Sequence, residues 1–225
     1  MSHEHKLLIV EDNADEMQRA IVAAKENGFT NIDTANNLED ALNKYVSATH
    51  VLTDMFFPAG NADVYPHVNI FVPRYSDSSR RALEQLQKLE QSPLYRASKQ
   101  VLGCNGDNFI ELISNLPAGL FSAQINHGLQ DFSRRYTDSQ RRYNECRIIE
   151  QKVLSGDILP CGLIIGKYAT CTKIPVAIVT STNHHDNYLQ PLIPVLNALG
   201  IPFVDSYDNG KDWHRGLALL TKQNT

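Results

Sequence analysis

Three acidic residues follow two short apolar runs of this 225-residue chain. Glu11 and Asp12 come directly after residues 6–10, and Asp54 ends the run 50–54. Both runs are typical of buried parallel strands, and open α/β sheets bind their ligands at the carboxyl ends of such strands. Carboxylates that crowd together repel one another unless a hard cation lies among them, and Mg²⁺ is the usual occupant. The spacing therefore predicts a Mg²⁺ site.

Alternating strand and helix patterns position these acids. Strands are predicted at 6–10, 29–35 and 50–54, and residues with helical apolar spacing separate them. Asn13 is a favourable N-cap for the first helix, Glu16 completes a capping-box-like pair, and Gly28 ends that helix. Asn37 caps the second helix. A β-α-β-α-β order forces right-handed crossovers, so the sheet is predicted to be parallel.

The same alternation resumes near the C-terminus. A helix over 159–171 precedes a strand over 174–180 that ends in Thr180. Another helix starts near Pro191, a strand follows at 201–204, and Trp213 begins the apolar face of a last helix. Together the elements predict an α/β fold, a doubly wound five-stranded parallel sheet of order 2-1-3-4-5.

A long segment interrupts this alternation after Pro58. We predict a discontinuous α/β domain formed by 1–58 and 158–225, with a large, mainly α-helical insertion over 59–157. Helical spacing appears at 78–89, 108–116 and 129–153, and prolines are expected to break the segment at Pro66, Pro73, Pro93 and Pro117. A small solvated helical subdomain is one interpretation. An interaction arm, or an element that forms a homodimer, is the other.

Composition restricts the classes of partner. The net charge of −4 gives no reason to expect direct binding of nucleic acid, although five arginines lie close together between 134 and 147. Four cysteines without a CxxC pair favour a reduced, cytoplasmic protein. We expect no signal peptide and no membrane span, because the first strand begins at once and no apolar stretch is long enough.

The ordered motifs resemble a known family. Glu11-Asp12-Asn13, then Asp54-Met-Phe-Phe-Pro58, then Ile-Val-Thr180-Ser181 are similar to the receiver domain of bacterial response regulators, a flavodoxin-like fold of two-component signalling. The resemblance implies that Asp54 is the phosphoacceptor and that Thr180 closes onto the phosphoryl group. It implies Mg²⁺ ligands from Glu11, Asp12, Asp54 and the backbone carbonyl of Phe56, and an aromatic switch residue near Tyr207.

Besides the size of the insertion, two features depart from the receiver pattern. Receivers carry a lysine at the end of the fifth strand, whereas here the nearest lysine is Lys211, in the turn that follows. In addition, His184 and His185 follow the fourth strand, at the edge where the acids are expected. Histidine with carboxylates would suit a transition metal, or the imidazoles could contact phosphate. Ordinary loop histidines are the alternative.

These observations leave several functions open. The first is an atypical stand-alone response regulator that signals by Mg²⁺-dependent phosphorylation of Asp54, or by protein interaction, to a histidine kinase or downstream effector. The second is a degenerate pseudo-receiver, an interaction scaffold or metal-binding protein. An enzyme that hydrolyses phosphate esters is not expected, since Phe56 replaces the second acid of an Asp-x-Asp motif. In a purely structural alternative, Glu11 and Asp12 only cap a helix.

Overall fold

The central sheet has the predicted architecture. The computed structural model describes residues 5–102, 123–181, 186–205 and 210–223. Its strands are β1 (Lys6–Val10), β2 (Asn31–Ala35), β3 (His50–Thr53), β4 (Val176–Thr180) and β5 (Phe203–Asp205). All neighbouring strands are parallel, and their order is β2-β1-β3-β4-β5. The predicted fold class is therefore confirmed.

Eight α-helices belong to the described residues. They are α1 (Ala14–Glu26), α2 (Leu38–Tyr45), α3 (Val68–Glu90), α4 (Pro93–Leu102), α5 (Ala123–Ser155), α6 (Cys161–Thr172), α7 (Ile193–Leu199) and α8 (Trp213–Lys222). Short 3₁₀ helices cover Tyr65–His67 and Gln190–Leu192. None of the helices in these ranges has the length and apolarity that crossing a membrane requires.

Helices cover both faces of the sheet. On one face, α1 and α8 pack on Leu7, Leu52 and Val179, with Trp213 in the same core. On the other face, α2 contacts β1, and α6 contacts β3 and β4. Side chains alternate between the faces of a strand, so β1 supplies both cores, and four of its five residues are buried.

Three strands begin later than their apolar patterns predict, for identifiable reasons. The backbone N–H of Phe29 bonds to the Ala24 carbonyl and closes α1, so β2 starts at Asn31. Pro175 lacks an N–H, and β4 starts at the next residue. Ile201 donates its N–H to Leu196 at the end of α7, and β5 starts at 203.

The chain divides into two compact units, 1–74 with 151–225, and 75–150. The first unit holds the sheet. The second unit has its own core of buried side chains from three helices, namely Leu86, Tyr95, Leu129, Phe132 and Tyr136. The rings of Tyr95 and Tyr136 stack with centroids 5.5 Å apart. This unit therefore has a hydrophobic core of its own, and the predicted bounds of the insertion, 59–157, stay a prediction.

Pro93 divides the helical segment as predicted, because α3 ends at Glu90 and α4 begins at Pro93, whereas Pro73 does not. Pro73 lies inside α3, where an interruption is expected from the sequence. It stands in the second turn, so the missing N–H removes one hydrogen bond near the helix start without ending the helix. Pro93 begins α4, a position where a missing N–H is harmless. Pro117 and the predicted helix 108–116 lie outside the described residues.

Close packing of α8 on the sheet requires glycine at position 216. A Cβ atom there would lie 2.3 Å from Val179 Cγ2 and 3.0 Å from Leu52 Cδ1. We expect Gly216→Ala to lower the free energy of unfolding by about 1–3 kcal/mol, the usual cost of overpacking a core. Gly128→Ala in α5 is the control, because nothing lies within 4 Å of its Cβ position. Alanine there should stabilise the helix by roughly 0.5–1 kcal/mol. Urea unfolding measures both variants, and effects of the same sign would contradict the prediction.

Candidate functional site

The ends of β1 and β3 bring three carboxylates together. Val10 pairs with Thr53, and the Asp54 N–H donates to the Val10 carbonyl at 2.9 Å. Glu11 and Asp54 consequently leave adjacent strands at the same level. One oxygen from each of Glu11, Asp12 and Asp54 lies within 4.8 Å of the others. We call these three residues the acidic pocket, and within the described ranges they form the group that could hold a metal ion.

Burial makes this pocket electrostatically demanding. Glu11 is 1 % exposed and Asp54 is 5 % exposed, whereas Asp12 faces solvent. One Glu11 oxygen accepts the backbone N–H of Asn13 at 3.0 Å. Asp54 Oδ1 is buried and makes no hydrogen bond of normal geometry. An ionised carboxylate is costly to bury unless it is paired and hydrogen-bonded, and this oxygen makes no hydrogen bond that would offset the cost.

Lys211 reaches the acidic pocket. Its Nζ atom lies 3.0 Å from Asp54 Oδ2 and is also ion-paired with Glu11 Oε2. The Lys211 side chain is only 7 % exposed, and its Nζ lies 5.6 Å from the centroid of the Trp213 ring. The lysine thus arrives from the residue before the N-cap of α8 rather than from the end of β5. It supplies the cation that the fifth strand lacks.

The charges of the site do not balance. Burial raises the pKa of Asp54 to about 7, with Glu11 adding to the rise and Lys211 opposing it. Burial also raises the pKa of Glu11, which Lys211 partly offsets. For Lys211, burial lowers the pKa, but attraction to Asp54 and Glu11 outweighs it and leaves the pKa raised. When all groups are ionised, three negative charges and one positive charge leave two negative charges, which one divalent cation would neutralise.

The N-terminus of α1 departs from the predicted capping box. Asn13 is the N-cap, and its side chain accepts the backbone N–H of Asp15 and of Glu16. That half of the prediction is confirmed. The reciprocal half is wrong, because the Asn13 N–H donates to Glu11. The Glu16 carboxylate instead accepts the Trp213 indole N–H at 2.9 Å.

The backbone of Asp54 is held tightly by α6. A Cβ atom at position 162 would lie 1.9 Å from the Asp54 carbonyl oxygen, so only glycine fits there. The Gly162 N–H donates to the Met55 carbonyl at 3.0 Å. The Thr53 hydroxyl donates to the Asp54 carbonyl at 2.9 Å. The sequence analysis missed Gly162, since a glycine in an apolar helix carries no signal of what packs on it.

Some of the other predicted site residues lie in the described part of the structure, and others lie outside it. Thr180 is buried at the last position of β4, two residues beyond the partner of Thr53. Phe56 follows Asp54 by two residues, and its ring lies edge-on to Tyr188 with centroids 6.3 Å apart. Their roles as phosphoryl contact and carbonyl ligand stay predictions. His184, His185 and Tyr207 lie outside the described residues.

Removal of the lysine charge tests the electrostatics of the pocket. Lys211→Met keeps the apolar stem but leaves buried Glu11 and Asp54 without a counter-ion. We expect a loss of about 3–5 kcal/mol in the free energy of unfolding, as for other broken buried ion pairs. Urea denaturation without divalent cations measures it. Lys25→Met is the control, because Lys25 is exposed and its replacement should change stability by less than about 0.5 kcal/mol. Equal losses in the two variants would refute the prediction.

The raised pKa of Asp54 predicts a specific pH dependence of stability. Between its ordinary value of 3.8 and about 7, the folded protein retains a proton that the unfolded chain has lost. The contribution of this carboxyl group to stability is therefore present below about pH 4 and is lost as the pH rises to about 7. Asp54→Asn removes that dependence. The stability of the variant relative to wild type, in the absence of divalent cations, should rise over this window by at most about 4 kcal/mol. A difference that is constant with pH would contradict it.

Comparison with known proteins identifies no relative of this chain. No family model, curated protein or solved structure matches it. The functional argument therefore starts from the acidic pocket, its unpaired Asp54 oxygen and the lysine that reaches it.

Proposed function

We propose that this protein is an atypical stand-alone regulator of the response-regulator receiver type, which acts in the cytoplasm through Mg²⁺-dependent phosphorylation of Asp54. One observation carries the proposal: Asp54 is buried beside Glu11, Asp12 and Lys211, and its Oδ1 atom makes no hydrogen bond of normal geometry. A divalent cation would neutralise the negative charge that these carboxylates carry when they are ionised. The receiver-like order of the motifs at the strand ends supports the same assignment.

The residues of the pocket suit the transfer of a phosphoryl group to a carboxylate. Glu11, Asp12 and Asp54 would hold Mg²⁺, which would neutralise the oxygens of the incoming group. An Asp54 oxygen would attack phosphorus as the bond from phosphorus to the donor's leaving group breaks. Lys211 lies 3.0 Å from Asp54 Oδ2 and would pair with the transferred phosphoryl group. Attack requires ionised Asp54, so the raised pKa favours reaction above about pH 7.

The partner we propose is a protein, either a histidine kinase or a downstream effector. Direct binding of nucleic acid is not proposed. In α5, Arg134 and Arg135 are both ion-paired with Asp131, and Arg141 is ion-paired with Asp138. These arginines therefore belong to a surface of mixed charge instead of a basic stripe.

A second candidate is a pseudo-receiver that binds partners without phosphorylation. Lys211 favours it, because its ammonium group already bridges Glu11 and Asp54 and neutralises part of the pocket without a metal. In that case the helical unit 75–150 would be the working surface, whether as a scaffold for another protein or as the contact of a homodimer.

Acetyl phosphate with Mg²⁺ distinguishes the two candidates. We expect intact-mass spectrometry to detect one added phosphoryl group in the wild type, dependent on Mg²⁺ and lost in Asp54→Asn. Asp15→Asn is the matched control, because Asp15 is an exposed residue in the first turn of α1. That variant should be phosphorylated like the wild type.

The remaining outcomes are equally informative. Binding of Mg²⁺ without phosphorylation would reject the proposal and favour the pseudo-receiver. Beryllofluoride, a phosphoryl mimic, should raise the melting temperature of the wild type with Mg²⁺, since a ligand stabilises the state that it binds. Absence of both metal binding and phosphorylation would reject a cation site altogether.

A further inference from the structure

We propose that Glu16 is a positioning residue that acts through Trp213 to hold the Lys211 ammonium group in the acidic pocket, and so sets the affinity of that pocket for Mg²⁺. The inference rests on the proposed cation site and adds a residue outside it. The proposed role of Glu16 requires no direct contact with Asp54. It acts from the first turn of α1 on the segment that carries the lysine. We call the Glu16–Trp213 pair the clamp.

The clamp joins two elements that are far apart in the chain. Glu16 Oε2 accepts the Trp213 indole N–H at 2.9 Å, and Trp213 is 2 % exposed within the core shared by α1 and α8. An indole has a single N–H donor, so Glu16 satisfies the whole hydrogen-bonding capacity of this buried ring. Trp213 is two residues from Lys211. Fixing the ring therefore fixes the backbone from which the lysine extends.

Gly210, the residue before Lys211, lies close to the same part of α1. Gly210 adopts a left-handed φ of +81°, and a Cβ atom there would lie 2.9 Å from Arg19 Nη1 and 3.0 Å from Glu16 Oε1. Arg19 Nη1 itself donates to Glu16 Oε1 at 3.0 Å. Glu16 thus lies close to Gly210 on one side of Lys211 and accepts a hydrogen bond from Trp213 on the other side.

Release of the clamp would give Lys211 an alternative position. A surface cleft of about 540 Å³ adjoins Lys211 and Trp213 and is also lined by Arg19 and Val22. If Lys211 turned into this cleft, its ammonium group would be solvated. In the pocket, the same group neutralises negative charge that would otherwise attract Mg²⁺. Since like charges repel, the clamped ammonium group lowers the affinity of the pocket for a divalent cation. Glu16 therefore tunes the metal site without touching it.

The first experiment measures the protection of Lys211 and needs no metal. The full-length protein is treated with an amine-acylating reagent, and peptide mapping compares labelling of Lys211 with that of exposed Lys25. We expect Glu16→Ala and Trp213→Phe to raise the labelling rate of Lys211 by about tenfold or more, as local protection is lost. Glu16→Gln retains a carbonyl acceptor for the indole and should keep the wild-type rate. Arg19→Ala is the control for loss of the Arg19–Glu16 ion pair. It leaves the hydrogen bond from Trp213 to Glu16 in place and should keep the wild-type rate. Unchanged labelling in Glu16→Ala would overturn the proposal.

The second experiment measures Mg²⁺ binding by calorimetric titration. We expect Glu16→Ala to bind Mg²⁺ about threefold to tenfold more tightly than Glu16→Gln, within the range of coupling between residues of one network. The two variants have the same charge, so the comparison isolates the hydrogen bond. In a Lys211→Met background the same pair should differ by less than about twofold. If Glu16 served only the stability of the fold, Glu16→Ala would bind Mg²⁺ more weakly than Glu16→Gln, or equally well. Either result would reject the proposed role of the clamp. If the wild type binds no Mg²⁺, the proposed function fails, while the labelling of Lys211 still decides whether Glu16 positions it.

Discussion

The cost of burying Glu11 and Asp54 at the ends of two adjacent parallel strands governs the rest of this structure. Parallel strands bring their terminal residues to one edge, and here both residues are carboxylates with at most 5 % of their surface exposed. A buried charge must be paired, hydrogen-bonded or neutralised by a proton. This pocket uses all three means, with Lys211 bridging the pair, the Asn13 N–H on Glu11, and a pKa of Asp54 raised to about 7. What remains is an excess negative charge.

The backbone of Asp54 is closely packed on both sides. A carboxylate that serves as a ligand or nucleophile must be held within a fraction of an ångström of its productive position. The Asp54 backbone is bonded to β1 on one side and packed against Gly162 on the other, with the Thr53 hydroxyl on its carbonyl. Lys211, by contrast, is not carried by a strand. Its long side chain enters the pocket from the residue before the N-cap of α8.

Sequence patterns predicted the features that depend on the succession of strands and helices along the chain. The strand order and the meeting of Glu11 with Asp54 follow from the alternation of apolar runs and the rules for parallel sheets. The position of Lys211 could not be predicted in this way, because the lysine and its partner Glu11 are 200 positions apart. Whether the lysine reaches depends on the Gly210 turn and on the bond from Trp213 to Glu16. Glu16 itself was assigned to a capping box, since its spacing fits that local pattern equally well.

The helical insertion follows Asp54 in the sequence, so a short stretch of backbone connects the acidic pocket with the second unit. The chain that leaves Asp54 first runs along the N-terminus of α2, where the Pro58 carbonyl accepts the Leu38 N–H at 2.9 Å and the Ala59 carbonyl accepts the Glu39 N–H at 3.1 Å. Helix α3 begins soon afterwards, and residues 75–90 of it belong to the second unit. Energetic coupling between two sites needs an element with two arrangements. In this chain the long helical segment follows the loop after Asp54. A change of charge at Asp54 would therefore act first on the α2-anchored segment, and the helical unit is the next structure along the chain.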